Sequence, residues 1–392
     1  MRAGVLLMSL LLLGCAAPRL ATVDPARLDA LLDEAIAGSG APSVSVSIAT
    51  ATGERATWTR GVADLATGRE ATGETRYPWF SATKIATATA VMQLVEQGLV
   101  DLDAPASRYL PGLARLRNPY GTEITVRHLL SHSSGLANPI PVAWIHPADE
   151  PGPSLAALTR RLLEENDRLQ FEPGSRASYS NLGYLVLGGI VERVSGMRFE
   201  AYVHRHILDP LGMRSTGFAW PGAGAATGYS RRWSFMGVAG RFLIDGRFFG
   251  ATHDGRTEIR PFLVDGAPYG GLIGTTADMA RFLEAHLRGG ELDGVRILSA
   301  ASVAAMQAPQ RSNGGKALPM GLGWHLGEAG GERYVTHPGG GGGYKAEIRI
   351  YPALGYAVAV AANETSFDTA PLARTVVLLR PPPLPVSPPA GG

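Results

Sequence analysis

Strict alternation from Ser43 to Ala49 puts Val44, Val46 and Ile48 on one face and predicts a strand. A turn at Thr52-Gly53-Glu54 then leads to a second strand, about Arg55 to Val62. Ahead of both, Asp24-Pro25 caps a helix whose apolar side is Leu28, Leu31, Leu32, Ala35 and Ile36. After Tyr77-Pro78-Trp79-Phe80 the period changes. Ile85, Ala88, Met92, Val95 and Leu99 follow the 3-4-3-4 spacing of a buried helical stripe, with Gly98 at its end.

From about residue 100 to 220 helical patterns alternate with Pro/Gly loops such as Asn138 to Pro153. The helix that begins near Asn181 is almost wholly apolar, which predicts burial on all sides. Residues 221 to 270 are aromatic-rich and irregular, with an Asp245-Gly246 hairpin signal between two short strands. The aromatic run from Trp233 to Phe249 reads equally as a pocket wall, a lid or a surface insert. Thr276 to Arg288 is helical again, three strands follow (about Arg333 to His337, Tyr344 to Tyr351 and Tyr356 to Ala362), and Thr369 to Leu379 forms a last helix. Strands at both ends predict an α+β fold: one antiparallel sheet completed by the two chain ends, flanked by helices, with a mostly helical region inserted at about 100–220. The parts interdigitate in sequence, so neither makes a domain alone.

The termini read differently from this body. Arg2 precedes an apolar run, Val5 to Leu13, that is too short to span a bilayer, which takes about 20 residues. It ends in Leu12-Leu13-Gly14-Cys15, which resembles a bacterial lipoprotein signal with its lipidated cysteine. The expected layout is a signal peptide over 1–14, a tether over 15–22, the folded domain over 23–380 and a disordered Pro-rich tail over 381–392. On that layout the mature protein is exported and membrane-anchored through Cys15, with the domain in the periplasm or outside the cell. Cys15 is the only cysteine, so no thiol remains for disulfides or catalysis. A net charge of +2 argues against a nucleic-acid surface. No metal site or cofactor is expected, because His204 and His206 diverge on a helix and no H-E-x-x-H occurs.

The chemistry is announced by lysine usage. Of 36 basic residues only Lys84, Lys316 and Lys345 are lysine, and the rest are arginine. Arginine keeps its proton in a protein, whereas a desolvated lysine can lose it. Lys84 stands three residues after Ser81 in Ser81-Ala82-Thr83-Lys84, on one face of a helix. A hydroxyl with a deprotonatable amine one turn away is the arrangement of an activated nucleophile. Tyr179-Ser180-Asn181 lies just before the most apolar helix, where Tyr179 and Asn181 can face one cleft around a helix cap. His337-Pro338-Gly339 ends a predicted strand and opens a run of five glycines, Gly339 to Gly343, on whose bare backbone a substrate can lie. No G-x-S-x-G occurs, so a nucleophile-elbow hydrolase has no support.

Taken in order, S-x-x-K, Y-x-N and H-x-G resemble the serine β-lactamase-like superfamily, closest to class C β-lactamases, D-aminopeptidases and family VIII carboxylesterases. The phrases Gly98 to Pro105, His128 to Leu136, Gly270-Gly271-Leu272 and Ala277 to Phe282 extend the likeness over roughly Leu28 to Ala362. The resemblance implies a β-lactamase/transpeptidase-like fold with the site between sheet and helical part. It implies Ser81 as the acylated nucleophile, and Lys84 and Tyr179 sharing the base function, with the choice between them open. Asn181 would hold Lys84 or the substrate amide, and the N–H groups of Ser81 and Gly340 would form the oxyanion hole. His337 would stand at the back of the site, beside Gly339. The family's lactamases and D,D-peptidases usually carry lysine at the His337 position; a largely neutral imidazole favours neutral substrates such as small esters over β-lactams or D-peptides. A non-catalytic lipoprotein that only binds penicillin or wall fragments is the competing class. Lys84→Arg should abolish turnover of p-nitrophenyl butyrate; a fully active variant would show that Lys84 is only a charge.

Overall fold

Residues 25–233, 240 and 242–378 are described here by a computed structural model. The expected signal segment, Cys15, the tether, Asp24 of the first cap and the Pro-rich tail lie outside these residues.

Helix α1 (Pro25–Ser39) leads into β1 (Ser43–Thr50), β2 (Arg55–Asp64) and β3 (Arg69–Glu70). Helices α2 (Thr83–Glu96), α3 (Leu155–Glu165), α4 (Asn181–Ser195) and α5 (Thr276–Leu287) follow. The chain then returns to strands, β4 (His325–Ala329), β5 (Glu332–Gly341), β6 (Tyr344–Tyr351) and β7 (Tyr356–Ala362), and ends on α6 (Thr369–Leu378). The seven strands form one antiparallel sheet in the order β4-β5-β6-β7-β1-β2-β3. Its centre is the pairing of the two chain ends, β1 on β7, from Val44 opposite Ala362 to Thr50 opposite Tyr356. This is the predicted α+β architecture.

Both faces of the sheet are covered. On one face Val44, Val46 and Ile48 pack with Val358 and Val360 against Leu28 and Leu32 of α1 and Leu372 of α6. The other face of β1 carries serines, and they are buried too. Ser45 and Ser47 each bond the Thr276 hydroxyl at 2.8 Å, at the start of α5, and reach Thr59 and Thr57 on β2. Each buried hydroxyl thereby keeps the partner that burial demands. The Thr275 side chain caps α5 by accepting from the Asp278 N–H, which fixes where the helix meets the strand.

Helix α2 forms the core of the helical part. Every residue from Thr83 to Leu94 is buried, so the apolar stripe belongs to a helix sheathed on all sides. The Thr87 hydroxyl donates to Pro268 O at 2.7 Å and Thr89 to Ile85 O at 2.8 Å, which lets polar residues sit there. Leu99, expected on the stripe, lies beyond the helix end at Glu96 and is 50% exposed. Much of 100–154 is short 3-10 turns and loop rather than long helix.

Residues 228–231, 249–253 and 256–259 form a small three-stranded sheet beside the helical part. Its hairpin turns at Asp254-Gly255, with φ of +48° and +74°, and not at the expected Asp245-Gly246. A tight hairpin needs positive φ at both central residues. Asp245 has φ −53° and instead accepts from the Arg247 N–H to start a 3-10 turn.

Candidate active site

The nucleophile candidate sits on a strained turn. Phe80 has φ +43°, a left-handed conformation that costs a non-glycine residue on the order of 1–3 kcal/mol. Its ring is held between Phe262 (6.1 Å) and Tyr344 (6.3 Å). Ser81 follows on the 3-10 turn Phe80–Ala82, just ahead of α2 rather than within it. Lys84, in the first turn of α2, is fully buried.

The Lys84 amine has three polar neighbours: Asn181 Oδ1 at 2.9 Å, the Tyr269 carbonyl at 2.7 Å and Ser81 Oγ at 3.2 Å. Two of them can only accept. A neutral amine has two hydrogens and one lone pair, so the hydrogens go to Asn181 and Tyr269 and the lone pair is left facing the Ser81 hydroxyl. Burial holds Lys84 well below the ordinary lysine value, in line with that count.

Tyr179 and Asn181 reach the amine because Ser180 between them is the N-cap of α4, its hydroxyl accepting from the Gly183 N–H at 3.1 Å. The cap and the paired site residues are one device. The Tyr179 ring centre lies 4.9 Å from Lys84 Nζ, and its hydroxyl is within electrostatic reach of Ser81. Burial pushes the Tyr179 phenol up, against the opposing pull of the Ser81 side chain. Burial thus acts on the pair in opposite directions, making the phenol hold its proton more tightly and the Lys84 amine less tightly.

Three histidines back this group. His132 lies with its ring 4.4 Å from that of Tyr179, and its Nδ1 accepts the Ser180 N–H. His337 is 6.1 Å from Tyr179 and 4.9 Å from His325, and its Nδ1 faces Pro338 O at 2.9 Å. Burial, with His325 and Lys84 nearby, drives His337 well below the usual histidine value. The position is thus a neutral imidazole behind Tyr179, and it does not line the cavity that opens on Ser81.

Strand β5 closes the site from the other side. A Cβ at Gly339 would stand 2.1 Å from Trp79 O, so this strand backbone lies directly on the nucleophile turn. The close approach is to the protein's own chain rather than to substrate. Gly343, at φ +87°, makes the turn into β6. The glycine run is therefore partly strand, with β5 extending to Gly341. A cavity of about 550 Å³ opens here, bordered by Ser81, Asn181 and Gly340 and otherwise walled chiefly by Phe80, Ile145, Phe248, Phe249, Phe262 and Val264. Both expected oxyanion positions, Ser81 and Gly340, border it. Lys345, opposite Gly340 on β6, borders it as well.

The structure thus brings Ser81, Lys84 and Asn181 into one bonded group with the Tyr179 ring beside it, sets Gly339 and Gly340 against it, and places His337 behind it. Sequence reading missed the Tyr269 carbonyl, which carries no residue-type signal, and His325. His132 packs on Tyr179 and also orients Ser180. Among the described residues no cluster of His, Cys, Asp or Glu could hold a metal.

A family model described as Beta-lactamase matches residues 28–380. The chain belongs to that family and is a serine hydrolase. Penicillin-binding protein 4 of Amycolatopsis lactamdurans is 31% identical over 321 residues, 79% of this chain and 78% of that one. Esterase EstB of Burkholderia gladioli is 38% identical over 206 residues, about half of each chain (49% and 51%). Among solved structures, D-amino acid amidase from Ochrobactrum anthropi SV3 superposes with a TM-score of 0.73 at 25% identity, covering 90% of this chain and 97% of that one.

Two measurements follow from this geometry. With a neutral Lys84 amine as the expected base, kcat/KM should stay level through neutral pH and fall on acidification, as Lys84 takes up a proton. A profile that instead rises toward the ordinary lysine value of 10.5 would contradict the assignment. Gly339→Ala should cost about 1–3 kcal/mol of stability and most of the activity, because its methyl meets backbone that cannot yield. Gly342→Ala, whose Cβ meets nothing nearer than 3.6 Å, should leave stability unchanged in the same urea titration.

Proposed function

We propose that the protein is a carboxylesterase acting on neutral esters with an apolar acyl group. The observation that carries this reading is the cavity beside Ser81, whose walls are mostly aromatic and aliphatic. Apolar walls of this size suit a small ligand whose few polar atoms are met at one end. Half-length similarity to an esterase supports the same reading.

Neutral Lys84 takes the Ser81 proton as Oγ attacks the ester carbonyl carbon. The N–H groups of Ser81 and Gly340 receive the charge that develops on the carbonyl oxygen. The carbon–oxygen bond to the alcohol breaks, and the departing alkoxide takes its proton from the Tyr179 hydroxyl, which Lys84 reprotonates. In the second half, water attacks the acyl-Ser81 carbonyl and gives its proton to Lys84 through Tyr179; the bond from the acyl carbon to Oγ then breaks, and Oγ takes that proton back from Lys84. Acid and free Ser81 result, and the proton count closes. The directions of the two pKa shifts support Lys84 as the base and Tyr179 as the shuttle.

One observation favours a second reading. Lys345 gives the cavity rim an ammonium that a substrate carboxylate could meet, as in a β-lactam or a D-peptide. Hydrolysis of p-nitrophenyl butyrate, a chromogenic cephalosporin and D-alanyl-D-alanine peptides should be compared under one set of conditions. The ester should turn over fastest, and Lys345→Ala should leave that rate in place. If the cephalosporin or peptide is preferred and Lys345→Ala abolishes the preference, the ester reading fails.

A further inference from the structure

The most exposed large apolar side chains among the described residues are Phe242 (85%), Trp233 (82%), Ile140 (75%) and Leu243 (60%). Three of the four belong to one place, and the chain brings the fourth within a few residues of it. Ile140 and Leu243 line the mouth of the cavity that holds Ser81. Phe242 adjoins Leu243 in the chain, and Trp233 follows three residues after Ser230, which lines the same cavity. A clustered apolar rim of this kind marks a surface that is covered in use. The Arg232 guanidinium lies 5.3 Å from the Trp233 ring, the pairing of an amphipathic aromatic with a cation that suits an anionic lipid interface.

We propose that this rim docks on the surface of a lipid bilayer and that the ester substrate passes from that surface into the cavity. The inference rests on the ester reading above and names where the ester comes from. The choice of occupant follows from continuity. The apolar rim runs into the apolar wall, and the wall runs to Ser81, so whatever covers the rim must let an apolar molecule through. A bilayer does this, because the acyl chain leaves one apolar phase for another without crossing water. A protein partner or a second copy seated on the same rim would stopper the mouth. The lipid anchor that the sequence predicts at Cys15 would hold the domain near such a surface.

The test compares the full chain with its Trp233→Ser/Phe242→Ser variant; neither residue lines the cavity. Vesicles of phosphatidylcholine with phosphatidylglycerol, carrying p-nitrophenyl dodecanoate, are the probe, and dissolved p-nitrophenyl butyrate is the reference. Any contribution of the N-terminal segment to binding is common to both proteins. Losing two large apolar side chains from the contact should weaken partition onto vesicles at least about tenfold. Hydrolysis of the vesicle-borne ester should fall by a similar factor, with butyrate turnover kept. Equal partition and equal dodecanoate hydrolysis by the two proteins would overturn the proposal. So would a wild-type dimer in solution that the variant loses while both bind vesicles alike, which would assign the rim to self-association. If the wild type leaves dissolved butyrate untouched, it is the ester reading that fails, and vesicle partition still decides the docking. Trp233→Ser and Phe242→Ser taken singly should fall between the two.

Discussion

The amine of Lys84 lies in the protein interior, and among the described residues no carboxylate is bonded to it. Its partners are a hydroxyl, a side-chain amide and a backbone carbonyl, all neutral. An ammonium there would lose its hydration without gaining a counter-ion, a cost of several kcal/mol. The rings of Tyr179, Tyr184 and Tyr269, centred 4.9–5.4 Å from the nitrogen, pull the other way, because aromatic faces favour a cation. Each such contact is worth about 0.5–2 kcal/mol, and burial still holds the amine well below the ordinary lysine value. The rest of the structure is arranged around that outcome: α2 supplies the amine, α4 brings Asn181, and the turn after Gly266 delivers the Tyr269 carbonyl.

Two features hold the nucleophile turn against that amine. Phe80 keeps a backbone conformation its side chain resists, and the aromatic contacts with Phe262 and Tyr344 offset part of the strain. Gly339 then lets β5 lie on Trp79. Ser81 is thereby pinned from below by the sheet and from within by Lys84. This is the pre-organisation a covalent mechanism needs, since the reacting hydroxyl has little freedom left to lose.

Much of this was legible in the chain. Period-two and period-3.6 patterns placed β1, β2, β6, β7, α4 and α5 within a few residues, because those elements have one dominant environment. Rare lysine usage singled out Lys84 without any structure. The misses have physical causes. Alternation in β1 marks one apolar face but cannot show that the serine face is buried as well, since Thr276 comes from more than two hundred residues away. Asp-Gly occurs at both 245 and 254, and only the backbone angles separate a helix cap from a hairpin turn. The Tyr269 carbonyl is backbone, and every residue has one. Gly339 was readable as a close approach, but not as an approach to Trp79 instead of to substrate.

The central pairing of β1 with β7 joins segments about three hundred residues apart. The first forty residues of the folded body must therefore wait for the last forty before the sheet can close. The nucleophile turn and α2 leave the ribosome long before β5 brings Gly340 beside them. An N-terminal piece of this chain holds the serine and the amine without the strand that sets Gly340 beside the cavity. Closure over such a separation is slow in entropic terms, because the loop must be fixed before its contacts repay it. The layout thus ties activity to completion of the chain, and a truncated copy would be born without the hydrolytic site.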